Sequence, residues 1–335
     1  MENSEAYRRW GVAEAMVELA WALRYDDPHR AEELCRFAVS VAERLDGDIE
    51  GDLALADLRA RCYGYLANFL RSNESLVEAM SALESAKENL LQGTGAVDGL
   101  AFYLEVRASL CGVLERFREG RLAAEMARLL YLAIGKKHLA GRSTMNLAFL
   151  YAQEGQHEQE IRLVREAMSL VDPSEDARLA LAGWHNLLWS LHECGNSREA
   201  LALLSQARPL YLSCGDRVAL VHLQWLEGMI ARSLDRPDQA EGCFQEARKR
   251  FIEQGIPIDA ALVSLDLAGL LSQQRRHSEV LRLATEMLAV FKAHRVEKEA
   301  LAAYLLLHQA AERKELTAAL LREVERRLDQ VRQSG

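Results

Sequence analysis

The chain has little proline and glycine and no long apolar run. Among its 335 residues are 5 Pro and 20 Gly, a low share that disfavours a β protein rich in turns. No uncharged apolar stretch reaches the roughly 20 residues that a membrane-spanning helix needs. The opening residues MENSEAYRRW also lack the apolar core of a signal peptide. These features predict a cytoplasmic protein that makes no membrane contact.

A surplus of basic residues and a paired-cysteine pattern are also missing. The net charge is −9, whereas nucleic-acid binding needs a basic face that displaces counterions from phosphates. The sequence therefore predicts no nucleic-acid partner. The six cysteines are scattered without any CxxC, which is neither a zinc pattern nor a secreted disulfide framework. They are Cys35, Cys62, Cys111, Cys194, Cys214 and Cys243.

Catalytic and cofactor signatures are absent as well. The sequence has no glycine-rich phosphate loop, no HExxH and no GxSxG. Cys194 follows a histidine and a glutamate, but neighbouring residues of a helix point about 100° apart and do not readily meet. A metal site could combine His185, His192 and His222. The first two are about 10 Å apart along a helix, however, whereas ligand pairs usually lie at i and i+4. We therefore expect a non-catalytic protein without metal or cofactor.

The chain contains an internal repeat. Half of its residues are hydrophobic and 27% are charged. Four segments each read as an apolar helix, a short polar turn and a second amphipathic helix: 146–168, 186–208, 225–248 and 266–288. Equivalent points in their second helices are 40 residues apart, at Glu160, Ala200, Ala240 and Val280. Equal steps of this kind are typical of solenoid proteins.

The same unit extends toward both ends of the chain. Earlier segments match with less regular spacing, and a divergent pair closes the sequence at 296–333. The pattern predicts about seven recognisable helix pairs and a C-terminal capping pair. No Pro/Gly/Ser-rich linker interrupts it, so we expect residues 1–335 to form a single helical repeat domain.

The repeat resembles the tetratricopeptide repeat (TPR). The resemblance rests on large, small and turn residues at matching positions: Leu147, Ala148, Tyr151, Gly155 and Ala167; Trp184, Leu187, Leu191, Gly195, Ala200 and Ala207; Gly228, Ala240, Phe244 and Ala247. Its period of about 40 residues is similar to the long-helix version in bacterial regulatory TPR proteins. The resemblance implies an all-α, right-handed superhelix of antiparallel helix pairs that binds partners.

In such repeats the first helix of each pair lines the concave side. The helix from Gly183 carries one apolar stripe for stacking and a second aromatic stripe about a quarter-turn away. Carried across repeats, the second stripe predicts a concave partner-binding groove lined by Arg142, Met145, Phe149, Gln153, His185, Trp189, His192, Glu193, His222, Trp225, Met229 and Arg232. The alternative is that these aromatic residues fill the interior of a tight superhelix.

Two functions are consistent with this pattern. The first is a scaffold, adaptor or inhibitor that binds a peptide segment of a partner protein, as part of bacterial signalling, transcription or defence. The second is a switch that senses a peptide or small ligand. An apolar stripe near the C-terminus, at Leu316, Leu320, Leu321, Val324 and Leu328, either caps the stack or mediates self-association.

Overall fold

The computed structural model describes residues 2–47, 51–214, 217–294, 296, 298–313 and 315–334. Within these ranges there is no strand, and sixteen helices follow one another. The first helix of each successive pair, here called an A helix, is α1 (Glu2–Leu23), α3 (Asp52–Ser72), α5 (Val97–Val113), α7 (Lys137–Ala152), α9 (Ala177–Glu193), α11 (Arg217–Ser233), α13 (Pro257–Gln273) and α15 (Lys298–Arg313). The second, or B helix, is α2 (Pro28–Ala42), α4 (Leu76–Gln92), α6 (Phe117–Ala133), α8 (His157–Leu170), α10 (Ser197–Cys214), α12 (Pro237–Glu253), α14 (His277–His294) and α16 (Ala318–Ser334).

The helix starts reproduce the period read from the sequence. Helices α8, α10, α12 and α14 begin at residues 157, 197, 237 and 277, and α7, α9, α11 and α13 begin at 137, 177, 217 and 257. Each start is 40 residues after the equivalent one before it. In the described ranges the helices form eight successive pairs. In the described part of the chain, no helix is long and apolar enough to cross a membrane.

Two of the turns between helices show the same backbone geometry. Gly155 and Gly195 adopt φ values of 69° and 78°, the left-handed conformation that favours glycine at a helix end. The amide of the next residue then bonds back to the carbonyl five residues earlier, as from Gln156 to Tyr151 at 3.0 Å and from Asn196 to Leu191 at 2.8 Å. This arrangement satisfies carbonyl groups that the helix end leaves free, so each turn stops one helix and starts the next within a few residues.

The chain divides into two compact units, residues 1–183 (unit 1) and 184–335 (unit 2). The boundary falls inside α9. In unit 1 the apolar core joins α1 to α8, and many of its fully buried members are alanines, including Ala20, Ala31, Ala79 and Ala124. Such small residues let neighbouring helices approach closely. That the two units form the single domain predicted for residues 1–335 stays a prediction.

Unit 2 has an apolar core built from α11 to α16, and Trp189 of α9 packs against it. Leu188 and Leu191, on the stripe assigned to stacking, are also buried. So are Val324 and Leu328 of the C-terminal apolar stripe, at 0% exposure each. Helix α16 lies along α13, where Leu321 approaches Gly269 and Arg332 pairs with Asp259 at 3.3 Å. Its apolar stripe therefore packs within the unit.

One close helix contact in unit 2 can be tested with two glycines. A methyl group added at Gly228 would stand 2.7 Å from the ring of Phe244, whereas Gly242 on the neighbouring helix has open space around it. We expect Gly228→Ala to lower the free energy of unfolding by about 1–3 kcal/mol through overpacking. The control Gly242→Ala should raise it by about 0.5–1 kcal/mol, because alanine is the better helix former. Urea unfolding measures both; equal effects would argue against the close packing.

Candidate functional site

A cavity of about 370 Å³ opens on the A helices of unit 1. Helices α1, α3, α5 and α7 contribute to it, together with the ends of two B helices. Its walls combine aromatic rings with cationic side chains, which are Trp21, Tyr65, Phe102, Tyr103 and Tyr131 on one hand and Arg61, Lys136 and Arg142 on the other. Asp57 and Asp98 also line it. Of the residues predicted from the aromatic stripe, Arg142 belongs to this cavity.

Contacts between the aromatic rings build one wall of the cavity. The ring of Tyr65 lies 4.5 Å from that of Phe102, centroid to centroid, and 5.7 Å from that of Trp21 in an edge-on arrangement. Such arrangements are favourable for aromatic pairs. Gly64 makes this packing feasible, because a methyl group there would stand 2.9 Å from the ring of Phe102. The wall is thus held by side-chain packing between α1, α3 and α5.

Arg142, which lines the cavity, belongs to a buried ion pair. Arg142 donates two hydrogen bonds to Glu105, at 2.5 and 2.8 Å, and Tyr131 donates a third to the same carboxylate at 3.2 Å. Burial opposes the charge on Arg142, but the carboxylate outweighs it and raises the pKa of the guanidinium above its ordinary value. Arg142 therefore remains charged in a largely apolar surrounding.

The guanidinium of Arg142 also faces an aromatic ring. It lies 4.8 Å from the ring centroid of Trp21, and the guanidinium of Arg24 lies 4.4 Å from the same ring. Cation–π contacts of this kind are attractive, more so when the groups are desolvated. The structure thus brings Trp21 of the first repeat together with Arg142 of the fourth.

The other predicted residues of unit 1 differ in their exposure. Met145 is buried, at 6%, and its methyl group packs against Gly183. Phe149 is 43% exposed, and Gln153 is exposed at the end of α7. The stripe on α7 therefore begins in the cavity at Arg142 and reaches the surface one turn after Met145.

In unit 2 the predicted aromatic residues form one cluster. The rings of His185 and Trp189 lie 5.9 Å apart, those of Trp189 and Trp225 5.6 Å, and those of His185 and His222 6.0 Å. Trp225 and Met229 are buried at 5% exposure each, while Trp189, His185 and His222 are partly buried. The 40-residue step thus brings together residues of α9 and α11.

Two aspartates of α13 complete this cluster, and the sequence reasoning missed both. Asp266 accepts hydrogen bonds from the indole of Trp225 at 2.7 Å and from Arg232 at 2.8 Å. Asp259 lies 3.5 Å from His222. One repeat step from Trp225 leads almost directly to Asp266, so the period contained a signal for this contact. The hydrogen bonds fix Trp225 and Arg232 against the next A helix.

His185, His192 and Glu193 of α9 differ in their surroundings. His185 shares a hydrogen bond of 2.9 Å with the hydroxyl of Tyr211, and burial with the nearby charges of His222 and Arg332 lowers its pKa to about 4. His192 contacts the Ser197 hydroxyl at 3.1 Å, and Glu193 is exposed. Among the residues that the structure describes, no three His, Cys, Asp or Glu side chains are grouped so as to hold a metal ion.

No protein-family model matches the chain, and no curated protein matches it. Solved structures do. A Rap protein complexed with Competence and Sporulation Factor aligns with a TM-score of 0.65 at 14% identity, over 97% of this chain and 88% of that one. For NprR in complex with its cognate peptide NprX the values are 0.58 and 15%, over 94% and 85%. The chain has a TPR-like α-solenoid fold.

A third solved structure agrees with this fold. Aspartyl phosphate phosphatase F from Bacillus subtilis aligns with a TM-score of 0.55 at 13% identity, over 97% of this chain and 96% of that one. At such identities the similarity concerns the fold. It confirms the all-α TPR-like solenoid that the repeat pattern predicts.

Proposed function

We propose that this chain is a non-catalytic regulatory protein that binds a peptide segment on its A helices. The observation that carries the proposal is the cavity of unit 1, where aromatic rings and cationic side chains face the same space. Ligand sites usually combine apolar walls with a few polar groups that fix orientation. Two structures with the same fold contain a bound factor or peptide, which supports the same reading.

The size of the cavity suggests what enters it. About 370 Å³ is near the lower end of the range for small-molecule sites, roughly 300–1,000 Å³. It suits one large aromatic or aliphatic side chain rather than a folded partner. Arg61 and Lys136 line the same cavity and would interact with the backbone carbonyls or acidic groups of the segment. The inserted side chain supplies affinity, and the polar groups fix its register.

The predicted groove residues have different roles in this proposal. The exposed residues of unit 1, Phe149 and Gln153, contact the segment beyond the cavity. In unit 2, Glu193 is exposed, and Trp189 is partly buried and packs its ring against those of His185 and Trp225. His185, His192, His222 and Arg232 are partly buried and shape the surface through their own hydrogen bonds and ring contacts. Met145, Trp225 and Met229 are buried and hold the A helices in place.

We further propose that the protein acts by binding in a bacterial cytoplasm, on a signalling, transcription or defence partner. Cys35, Cys62 and Cys111 are free and buried, which agrees with a reducing compartment. One structural neighbour is named a phosphatase, but the cavity presents rings and paired charges, which suit recognition rather than chemistry. The second candidate function is sensing of a small ligand, which would bind in the same cavity. It differs from the first because the ligand would have no peptide backbone.

The test begins with peptides selected on the folded protein from a random display library. We expect the selected peptides to share a large apolar residue. Phe102→Ala should weaken their binding by about 2 kcal/mol, roughly thirty-fold, because it removes part of the cavity wall. The matched control is Phe37→Ala, since Phe37 is 52% exposed on α2 outside the cavity. Isothermal titration measures both, after thermal melts confirm folding.

Two outcomes would contradict the proposal. If Phe102→Ala and Phe37→Ala bind the peptides equally well, the cavity is not the binding site. If no peptide is enriched but a small aromatic acid raises the melting temperature, the sensor of small ligands is the better description.

A further inference from the structure

Two segments of unit 1 that are 152 residues apart in sequence meet through polar side chains. Arg24 and Tyr25, just after α1, both contact Asp176, just before α9. The guanidinium of Arg24 lies 2.7 Å from the Asp176 carboxylate, and the hydroxyl of Tyr25 donates to it at 3.1 Å. The exposed fractions of the Arg24 and Asp176 side chains are 18% and 6%. This junction connects the first helix pair with the start of the fifth.

A second, more exposed layer covers the first. Arg178 pairs with Asp26 at 2.9 Å, and its guanidinium lies 5.0 Å from the ring centroid of Tyr25. Both partners of this pair are well exposed, so water and salt screen it and it contributes little stability. The inner contact of Arg24 and Asp176 is better shielded. The named contacts of the junction are ion pairs, hydrogen bonds and cation–π contacts, which can open without exposing a packed apolar core.

Besides Arg24 and Tyr25, Asp176 has a partner close to it in sequence. Its other carboxylate oxygen accepts the backbone N–H of Leu179 at 2.9 Å and thereby caps α9. Burial alone would raise its pKa, but the Leu179 amide, Arg24 and Tyr25 together hold the pKa below its ordinary value. Asp176 is therefore charged at neutral pH, and an asparagine in its place would keep the cap while losing the charge.

The junction is linked to the cavity through one ring. Arg24 packs on Trp21, and Trp21 lines the cavity and faces Arg142. Any ligand that fixes Trp21 and Arg142 also fixes the ring against which the Arg24 guanidinium packs. Conversely, releasing Arg24 from Asp176 leaves one face of the Trp21 ring without a fixed neighbour.

We propose that Arg24, Tyr25 and Asp176 form a latch that closes unit 1 on itself and favours ligand binding in the cavity. The coupling rests on the proposed function, whereas the latch itself can be observed without a ligand. Coupling between two sites is reciprocal, so the factor by which the closed latch strengthens binding equals the factor by which the ligand stabilises the latch. The latch thus regulates the cavity rather than forming part of it.

Hydrogen–deuterium exchange on the ligand-free protein tests the latch from both sides. Arg24→Gln should speed exchange in the first turn of α9, and Asp176→Asn should speed exchange in the turn after α1. Each substitution is read at the segment that lies 152 residues away, so purely local damage does not imitate the result. The control is Arg30→Gln, which removes an exposed ion pair between Arg30 and Glu33, both on α2. If each substitution changes exchange only in its own segment, as the control does, the latch is refuted.

Peptide titration then tests the coupling. With a peptide selected on the original chain, Arg24→Gln and Asp176→Asn should each weaken binding by about fivefold or more, and Arg30→Gln should not. The peptide should also slow exchange at both segments of the original chain. Unchanged affinity in a variant with an open latch would overturn the coupling. If both substitutions open the latch but the original chain binds no peptide, the proposed function is refuted and the latch remains established.

Discussion

Replacing Arg142 by Met is expected to lower the free energy of unfolding by about 3–5 kcal/mol, among the largest effects of a single substitution in this chain. The reason is the partner that remains. The side chain of Glu105 is only 9% exposed, and Arg142 provides two of its hydrogen bonds. Removing the guanidinium leaves a buried carboxylate with the Tyr131 hydroxyl but no countercharge. Chemical denaturation followed by far-UV circular dichroism measures the loss.

A double substitution distinguishes two causes of the loss, the unpaired charge of Glu105 and the missing packing of Arg142. Arg142→Met combined with Glu105→Gln removes both charges, and an amide oxygen at position 105 still accepts from Tyr131. We expect it to recover much of the loss, because replacing a buried pair by neutral groups is often nearly neutral. The matched control is Arg128→Met, whose partners Glu125 and Glu166 are 40% and 43% exposed, and which should cost less than about 1 kcal/mol. A double variant as unstable as Arg142→Met alone would show that packing, not charge, is responsible.

The fold was predictable because its signals are local and repeated. Several turns depend on a residue in the left-handed conformation followed by a helix start, and Gly155 and Gly195 supply it with little strain. The same position also accepts Asp235 and Arg275, with φ of 57° and 60°. Glycine therefore reveals only some of the turns. The 40-residue step of the apolar pattern located the rest.

Burial of the predicted site residues was less predictable. Periodicity indicates the direction in which a side chain points on its own helix, not how closely the next helix approaches. Phe149 is exposed and Trp225 is buried although both came from the same stripe. The difference is that α13 packs beside α11 and places Asp266 at the Trp225 indole.

Partners from distant repeats were the hardest to foresee. Glu105 and Arg142 are 37 residues apart, close to one repeat, so the period offers a weak signal for their pairing. Arg24 and Asp176 are 152 residues apart, and no local pattern connects them. Their meeting depends on how each helix pair is rotated relative to the one before it, summed over four repeats. A sequence pattern that describes one repeat at a time therefore does not predict which residues meet across four repeats.

The stability of unit 2 should depend on pH through His185. Its pKa in the folded protein is about 4, against 6.5 for an ordinary histidine, because burial and the positive charges of His222 and Arg332 disfavour the protonated ring. The contribution of the neutral ring to stability is complete above pH 6.5. As the pH falls below 6.5, the unfolded chain takes up a proton that the folded chain accepts only near pH 4. The free energy of unfolding therefore decreases across this window, by up to about 3 kcal/mol.

The substitution that isolates this effect is His185→Asn, since an asparagine amide retains a hydrogen bond with the Tyr211 hydroxyl and does not titrate. At pH 7 the variant should be less stable than the original chain, because it loses ring contacts with Trp189 and His222. Between pH 7 and 4 this difference should shrink by up to about 3 kcal/mol, since only the original chain pays for protonating the buried ring. Urea unfolding at a series of pH values measures it, and His29→Asn on the exposed face of α2 is the control. If the His185→Asn difference stays constant with pH, the ring of His185 is protonated as easily in the folded chain as in the unfolded one, and its cluster admits water.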